Sequence, residues 1–339
     1  MSSGETYNRE VFHGGDLTWA KNRYGSSGNK WIDLSTGINP EPYPVPSFEN
    51  AIWQRLPDAE QENTLLVAAQ KYYGFPANSK IVAAPGTQAL LQILPRLYTN
   101  LTVGIKSPAY AEHAHCWKAA GHTVVEFSQI ESWPQNADVI VIISPNNPTC
   151  EFADLNALKI IRENLAKKNG LLVIDEAFMD MTPDQSFSGK TPPENTIILK
   201  SFGKFFGLAG LRLGFATGDP KLIMRLRDFL GPWAVSGIAA ELGITAFNDK
   251  DWVLKTRISL AGKTSRLRSI FSNVDLAVQG STDLFTYVSL EKADLLFHHL
   301  CEKHILIRPF PKLPNNLRFG LPNTEDEWAR LNHALSSFI

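Results

Sequence analysis

Between Lys80 and Thr217 the chain alternates short apolar runs with stretches of helical periodicity, and this constrains its fold more than any other feature. Asp138–Ile143 is almost entirely apolar and β-branched, the pattern of a strand buried on both faces. Further strands are expected at Lys80–Ala83, Leu101–Ile105, Thr123–Phe127, Leu171–Ile174, Thr196–Leu199 and Gly214–Thr217. Helices are expected at Gln88–Tyr98, where Pro95 should kink or end the helix, at Tyr110–Ala120 and at Leu155–Lys168, closed by Gly170. This order implies an α/β fold, with a mostly parallel central sheet between helices.

The pattern changes near Gly237, which suggests three units. Residues 1–40, rich in Gly, Asn and Pro and without clear periodicity, read as an N-terminal arm that joins a small domain. Residues 41–237 form a large domain, and residues 238–339 a small α+β domain. In the last, helices are expected at Ala239–Phe247, Trp252–Phe271, Ala293–Lys303 and Glu325–Phe338, and strands at Leu284–Leu290, Ile305–Ile307 and Asn316–Phe319. At 44% hydrophobic and 20% charged residues, the 339-residue chain suits a packed globular protein. Lys and Arg (33) nearly balance Asp and Glu (34), which removes the footprint of a general nucleic-acid binder but permits a local basic pocket. Three cysteines without a C-x-x-C pair argue against a disulfide framework or a zinc ribbon. Met1–Glu10 has no apolar core of a secretory signal, and Val139–Ile143 is far short of the roughly 20 residues of a membrane helix. A cytoplasmic enzyme without membrane or nucleic-acid partners is the expectation.

Several segments carry groups suited to chemistry. Gly86-Thr87-Gln88, between a strand and a helix, offers backbone amides to an anion or is an ordinary turn. Asn146 and Asn147, in Ser144-Pro-Asn-Asn-Pro-Thr-Cys150, sit at a strand's carboxyl end, where open α/β sheets bind ligands; a rigid Asn-Pro turn is the alternative. Asp175 follows an apolar strand and suits a metal, a protonated ring nitrogen or a helix N-cap. Lys204 lies among Phe202, Phe205 and Phe206, and desolvation there would lower its pKa and free the amine to form a Schiff base. His113 with His115, and His298 with His299, lack metal-ligand spacing and read as ordinary core or surface histidines. No metal site is expected.

In chain order, these motifs with Ser107-Pro-Ala-Tyr110, Asp175-Glu-Ala-Phe178, Gly210-Leu-Arg-Leu-Gly214 and Arg318-Phe-Gly320 resemble the fold-type I pyridoxal-phosphate (PLP) enzymes, the aspartate aminotransferase superfamily. The resemblance implies PLP as cofactor, with Lys204 as its Schiff-base lysine and Asp175 as partner of the pyridine nitrogen. It implies Tyr110 on the ring face and Asn147 at the phenolic oxygen. The cofactor phosphate falls to Gly86, Thr87, Gln88, Ser201 and Arg212, and the substrate carboxylate to Arg318. The sequence departs from the family where Phe178 replaces a frequent Tyr, Cys150 replaces a Gly, and Leu56 replaces the Tyr that many relatives lend to a neighbouring subunit.

A narrower set, His13-Gly-Gly-Asp16, Trp31–Pro40, Asp175-Glu-Ala-Phe178 and Gly231-Pro-Trp-Ala-Val235, is similar to the L-threonine-O-3-phosphate decarboxylases of cobalamin biosynthesis. This implies a lyase that converts L-threonine O-3-phosphate to (R)-1-amino-2-propanol O-2-phosphate and CO2, working as a homodimer. The substrate phosphate would then meet His13, Gly14, Gly15, Asn39, Arg308 and Lys312. A histidinol-phosphate or aromatic aminotransferase, and a catalytically silent PLP-fold binding module, are the alternatives.

Overall fold

The computed structural model describes residues 14–26, 28, 30–189 and 194–338. After a short strand β1 (Ile32–Asp33), seven strands build the main sheet. These are β2 (Lys80–Ala84), β3 (Thr102–Lys106), β4 (Thr123–Phe127), β5 (Val139–Ile143), β6 (Leu171–Asp175), β7 (Thr196–Ser201) and β8 (Gly214–Gly218). Their order across the sheet is β2-β8-β7-β6-β5-β3-β4, and β8 alone runs antiparallel to both its neighbours. The remaining pairs are parallel.

Alternate residues of the central strands feed two separate cores. Val139, Val141, Val173, Ile197 and Leu199 pack on one face with apolar residues of the helices Thr87–Arg96, Ala111–Ala119 and Pro220–Leu230. Ile140, Ile142, Leu172, Ile174 and Ile198 pack on the other with the helix Leu155–Ala166. Two-faced burial is why these strands read as continuous apolar runs rather than as alternating ones. Pro95 lies in the last turn of its helix, which ends at Arg96.

A second sheet takes its strands from the C-terminal third: β9 (Ala277–Thr282), β10 (Phe285–Ser289), β12 (Arg308–Pro309) and β13 (Asn316–Gly320), in the order β12-β13-β10-β9. Between them, β11 (Ile305–Leu306) pairs in parallel with β1, which ties the N-terminal segment to this part of the chain.

The N-terminal segment is more regular than its sequence suggests. Leu17–Tyr24 is a helix whose cap, Asp16, accepts from the amide of Trp19 at 2.9 Å. Only Ala20 of that helix is buried, so it carries little apolar periodicity. The helices Ala59–Tyr73 and Pro220–Leu230 and strand β9 are also additions to the sequence reading. No helix among the described residues is long and apolar enough to cross a membrane.

Candidate active site

Asp175 ends β6, Ser201 ends β7, and Gly86, Tyr110 and Asn147 follow β2, β3 and β5. Arg212 precedes β8, whose reversed direction brings its start to the same edge of the sheet. Topology thus gathers these residues where open α/β sheets bind ligands. They line one cavity of about 270 Å³ together with Gly14, Thr87, Gln88, Lys204, Arg308 and Arg318.

Lys204 sits on the short helix Phe202–Phe205, and Phe202, Phe205 and Phe206 are completely buried. The rings of Phe202 and Phe206 stack at 4.4 Å, and each buried ring contributes about 1.5–3 kcal/mol to holding this turn. Burial pushes the Lys204 ammonium down to about 8, aided by the positive charges of Arg318 and Arg212 and opposed by Asp175. Lys200, near the end of strand β7, pairs with Glu176 at 2.5 Å, whereas Lys204 has no ion pair among the described residues. Lys204 is therefore the amine of the two that is available to a carbonyl.

Asp175 is buried, and its Oδ2 lies 2.9 Å from Nε2 of His113. Its Oδ1 accepts from the amide of Ala177 at 3.0 Å. No group of three or more His, Cys, Asp or Glu side chains suited to a metal occurs among the described residues. His113 is a buried core histidine, as its sequence suggests, but it is bonded to a site carboxylate. The signal lay in its spacing from Tyr110, since residues three apart share a helix face; the two rings meet edge to face at 6.4 Å.

At the other end of the cavity, the helix Thr87–Arg96 starts at Gly86 with no side-chain cap. The amide of Gly86 itself donates to Ala84 at 2.7 Å, which leaves Thr87 and Gln88 as the free first-turn donors. Gly86 has φ +82°, and a Cβ there would fall 2.5 Å from Nη2 of Arg212. The cup is therefore built by glycine, with the guanidinium lying directly over the backbone. Thr87 donates its hydroxyl to the Lys200 carbonyl at 3.1 Å. Tyr110 lies 3.5 Å from Oε1 of Gln88, and burial pushes its phenol up to about 12, so it is neutral.

Arg318 closes the cavity. It donates to Oδ1 of Asn147 at 2.6 Å and to the carbonyl of Ser35 at 2.8 Å. Arg308 stands directly opposite Arg318 on the neighbouring antiparallel strand. Burial pushes Arg308 down to about 10, and burial together with the charge of Arg308 pushes Arg318 down to about 9. Phe178 lines the cavity with its ring 5.5 Å from Nζ of Lys204 and brings no hydroxyl.

Three residues expected at the substrate phosphate are placed elsewhere. Asn39 is buried outside the cavity lining: its side chain donates to the Phe205 carbonyl at 2.9 Å, and its amide donates to the carbonyl of Lys204. Its polar groups hold the lysine turn. Lys312 is exposed and does not line the cavity. Gly15 donates its amide to the Ser35 hydroxyl at 2.7 Å rather than lining the cavity. His13 lies outside the described residues.

Residues 41–335 match the family of class I and II aminotransferases. The chain belongs to the class I and II aminotransferase family. Among its members, the chain is 39% identical to a threonine-phosphate decarboxylase of Pseudomonas aeruginosa over 96% of this chain and 97% of that one. It is 38% identical to a threonine-phosphate decarboxylase of a Sinorhizobium species, over 96% and 98%. Its fold matches a histidinol-phosphate aminotransferase of Sinorhizobium meliloti solved with pyridoxal 5'-phosphate, with a TM-score of 0.79 and 20% identity, over 99% of this chain and all of that one. The aminotransferase fold accounts for the mixed seven-stranded sheet and the cavity at its edge.

Proposed function

We propose that the protein is a PLP-dependent lyase that decarboxylates L-threonine O-3-phosphate to (R)-1-amino-2-propanol O-2-phosphate and CO2 in cobalamin biosynthesis. What carries this reading is 38–39% identity, along nearly the whole chain, to relatives named threonine-phosphate decarboxylase. The geometry agrees with it. The donor set suits PLP: a glycine-built cup with Arg212 for a phosphate, a buried carboxylate for a ring nitrogen, and a lysine whose ammonium is pushed down to about 8.

When bound, PLP supplies a carbonyl that captures the substrate amine and a cationic ring that takes up the electron pair released at Cα. The protein's part is to hold and to aim. Thr87, Gln88, Ser201 and Arg212 receive the cofactor phosphate. Asp175, oriented by His113, holds a proton on the ring nitrogen. Tyr110 takes the ring face, and Asn147, fixed by Arg318, donates at the phenolic oxygen. Arg318 and Arg308 meet the substrate's two anionic ends, the carboxylate and the phosphate. Holding both ends fixes the rotation at Cα, and that rotation decides whether the carboxylate or the hydrogen departs. Lys204 then delivers a proton to Cα.

Incubation with L-threonine phosphate tests the reading against histidinol phosphate plus 2-oxoglutarate. CO2 and aminopropanol phosphate should form without any oxo-acid. Glutamate from histidinol phosphate, with no decarboxylation, would overturn it.

The same reading makes the protein a cytoplasmic homodimer. All three cysteines are free and buried, which suits a reducing compartment. Exposed Trp233 lines a second cleft with Pro57 and Leu230, and Trp53, Leu56 and Phe229 are exposed as well. Such an apolar surface favours a second copy of the chain. The division into an arm (1–40), a large domain (41–237) and a small domain (238–339) is supported by the two sheets, whose strands come from residues 80–218 and 277–320.

A further inference from the structure

Beside the cavity lies a buried ion pair that none of these steps uses. Glu176 and Lys200 are 1% and 3% exposed, with Nζ 2.5 Å from Oε2. The carboxylate also accepts from the Ser186 hydroxyl at 2.5 Å and from the Phe187 amide at 2.7 Å. The ammonium donates to Ser186 at 3.2 Å and lies 5.1 Å over the ring of Tyr73. Both charges are thus fully engaged within the protein, so the pair is neither a ligand site nor a proton donor to the cavity.

Stability is a weak reason for such a pair, because well-packed apolar residues in place of both partners often serve as well. Its location is more telling. Glu176 directly follows Asp175 at the end of β6, and Lys200 directly precedes Ser201 at the end of β7. The Glu176 amide donates to the Leu199 carbonyl at 2.9 Å, and the Lys200 carbonyl accepts from Thr87 at 3.1 Å. Successive side chains along a strand point to opposite faces, so fixing Lys200 behind the strand aims Ser201 into the cavity. Three groups at opposite ends of the cofactor site, Asp175, Ser201 and Thr87, are therefore each one covalent or hydrogen-bonded step from the pair.

We propose that Glu176 and Lys200 are positioning residues that clamp the carboxyl ends of β6 and β7 and so set the distance between the ring-nitrogen carboxylate and the phosphate cup. This rests on the reading that Asp175, Ser201 and Thr87 hold PLP. The geometry requires a cation in a fixed place at position 200, not only filled volume.

The test measures the PLP dissociation constant of the apo-protein, together with its thermal midpoint. The double variant Glu176→Gln/Lys200→Met removes both members of the pair together and leaves buried Asp180 with Tyr72 and Arg257 as its remaining partners, so the thermal midpoint is read at about pH 5, where Asp180 is largely protonated. It should weaken PLP about tenfold or more, as loss of a supporting partner does for metal ligands, while the apo-protein midpoint changes little. Lys200→Arg should restore PLP affinity to within about threefold of wild type, since a guanidinium reaches the same carboxylate. Wild-type affinity in the double variant, or failure of Lys200→Arg to outperform Lys200→Met, would overturn the proposal. Should the double variant not fold, Ser186→Ala decides. It trims one hydroxyl from the pair and should weaken PLP about two- to threefold by loss of one modest hydrogen bond; no change would overturn the proposal. Failure of the wild-type apo-protein to bind PLP would instead refute the underlying assignment of the site.

Discussion

Arg308 and Arg318 are Cα partners across the antiparallel pair of β12 and β13, so two guanidiniums share one side of a buried cavity. Like charges directly opposite on neighbouring strands are destabilising. Such an arrangement persists where an anion completes it, and L-threonine phosphate brings two anionic groups. Arg308→Ala should raise KM for L-threonine phosphate by about 10- to 100-fold, the value of one or two charge-assisted hydrogen bonds. Free threonine should lose much less. Steady-state kinetics with both substrates check this, and equal losses would remove Arg308 from the phosphate pocket.

His113 holds Asp175 at 2.9 Å in a fully buried setting. His113→Phe keeps an aromatic ring but leaves Oδ2 of Asp175 without that partner. Turnover should fall about 10- to 100-fold, the equivalent of one charged hydrogen bond of roughly 1.5–3 kcal/mol, while PLP stays bound. Cofactor content by absorbance, measured alongside kcat, separates this from simple loss of cofactor.

The ammonium of Lys204 is pushed down to about 8, chiefly by burial and next by Arg318. Only the neutral amine attacks a carbonyl, so the rate at which apo-protein captures PLP should rise with pH and level off above about 8, instead of climbing towards the ordinary lysine value near 10.4. Arg318→Gln removes a charge that lowers this pKa, so the midpoint should move up. Stopped-flow absorbance across pH reads both, and a midpoint that stays in place in Arg318→Gln would contradict the assigned cause. Lys204→Ala should abolish the visible band.

The sequence exposes those parts of the site that each strand end presents by itself. Asp175, Asn147, Lys204 and the Gly86–Gln88 turn each follow an apolar strand, and a polar residue in that place is conspicuous. What escapes is what depends on a partner from elsewhere in the chain. His113 belongs to the site because its ring reaches Asp175 at the end of β6, far along the chain, and its spacing from Tyr110 is the one local hint of this. Asn39 and Lys312 are assigned to the substrate phosphate by resemblance and not by a local pattern; Asn39 spends its side-chain donor on the Phe205 carbonyl, and Lys312 faces solvent outside the cavity lining. The N-terminal helix and strand are hidden by brevity, since a two-residue strand has no period to detect.

Gly86 can be tested alone. At φ +82° and ψ 156°, a conformation essentially confined to glycine, an alanine is strained by about 1–3 kcal/mol, and its Cβ would meet the Arg212 guanidinium at 2.5 Å. Gly86→Ala should therefore displace Arg212 and weaken PLP, while pyridoxal without its phosphate should lose little affinity. Equal weakening of both forms would mean that Arg212 does not serve the phosphate.

A last prediction concerns Asp180, which lies outside the cavity lining and is buried beneath Tyr72. Tyr72 donates to its Oδ1 at 3.0 Å, and Oδ2 has no hydrogen-bond partner among the described residues. Burial pushes this carboxyl up to about 6, opposed by Lys200, the Tyr72 hydroxyl and Arg257. A carboxyl whose folded pKa exceeds its unfolded value binds more protons when folded, so its contribution to stability falls as pH rises between the two values. A shift of about two units corresponds to roughly 3 kcal/mol. Asp180→Asn cannot titrate. The stability of wild type relative to Asp180→Asn should therefore drop by up to roughly 3 kcal/mol between about pH 4 and pH 7, and stay flat above that. Urea unfolding of both proteins across this range measures the difference. A difference that grows with pH would mean that the carboxylate is stabilised by its neighbours, Lys200 above all, more than it is penalised by burial.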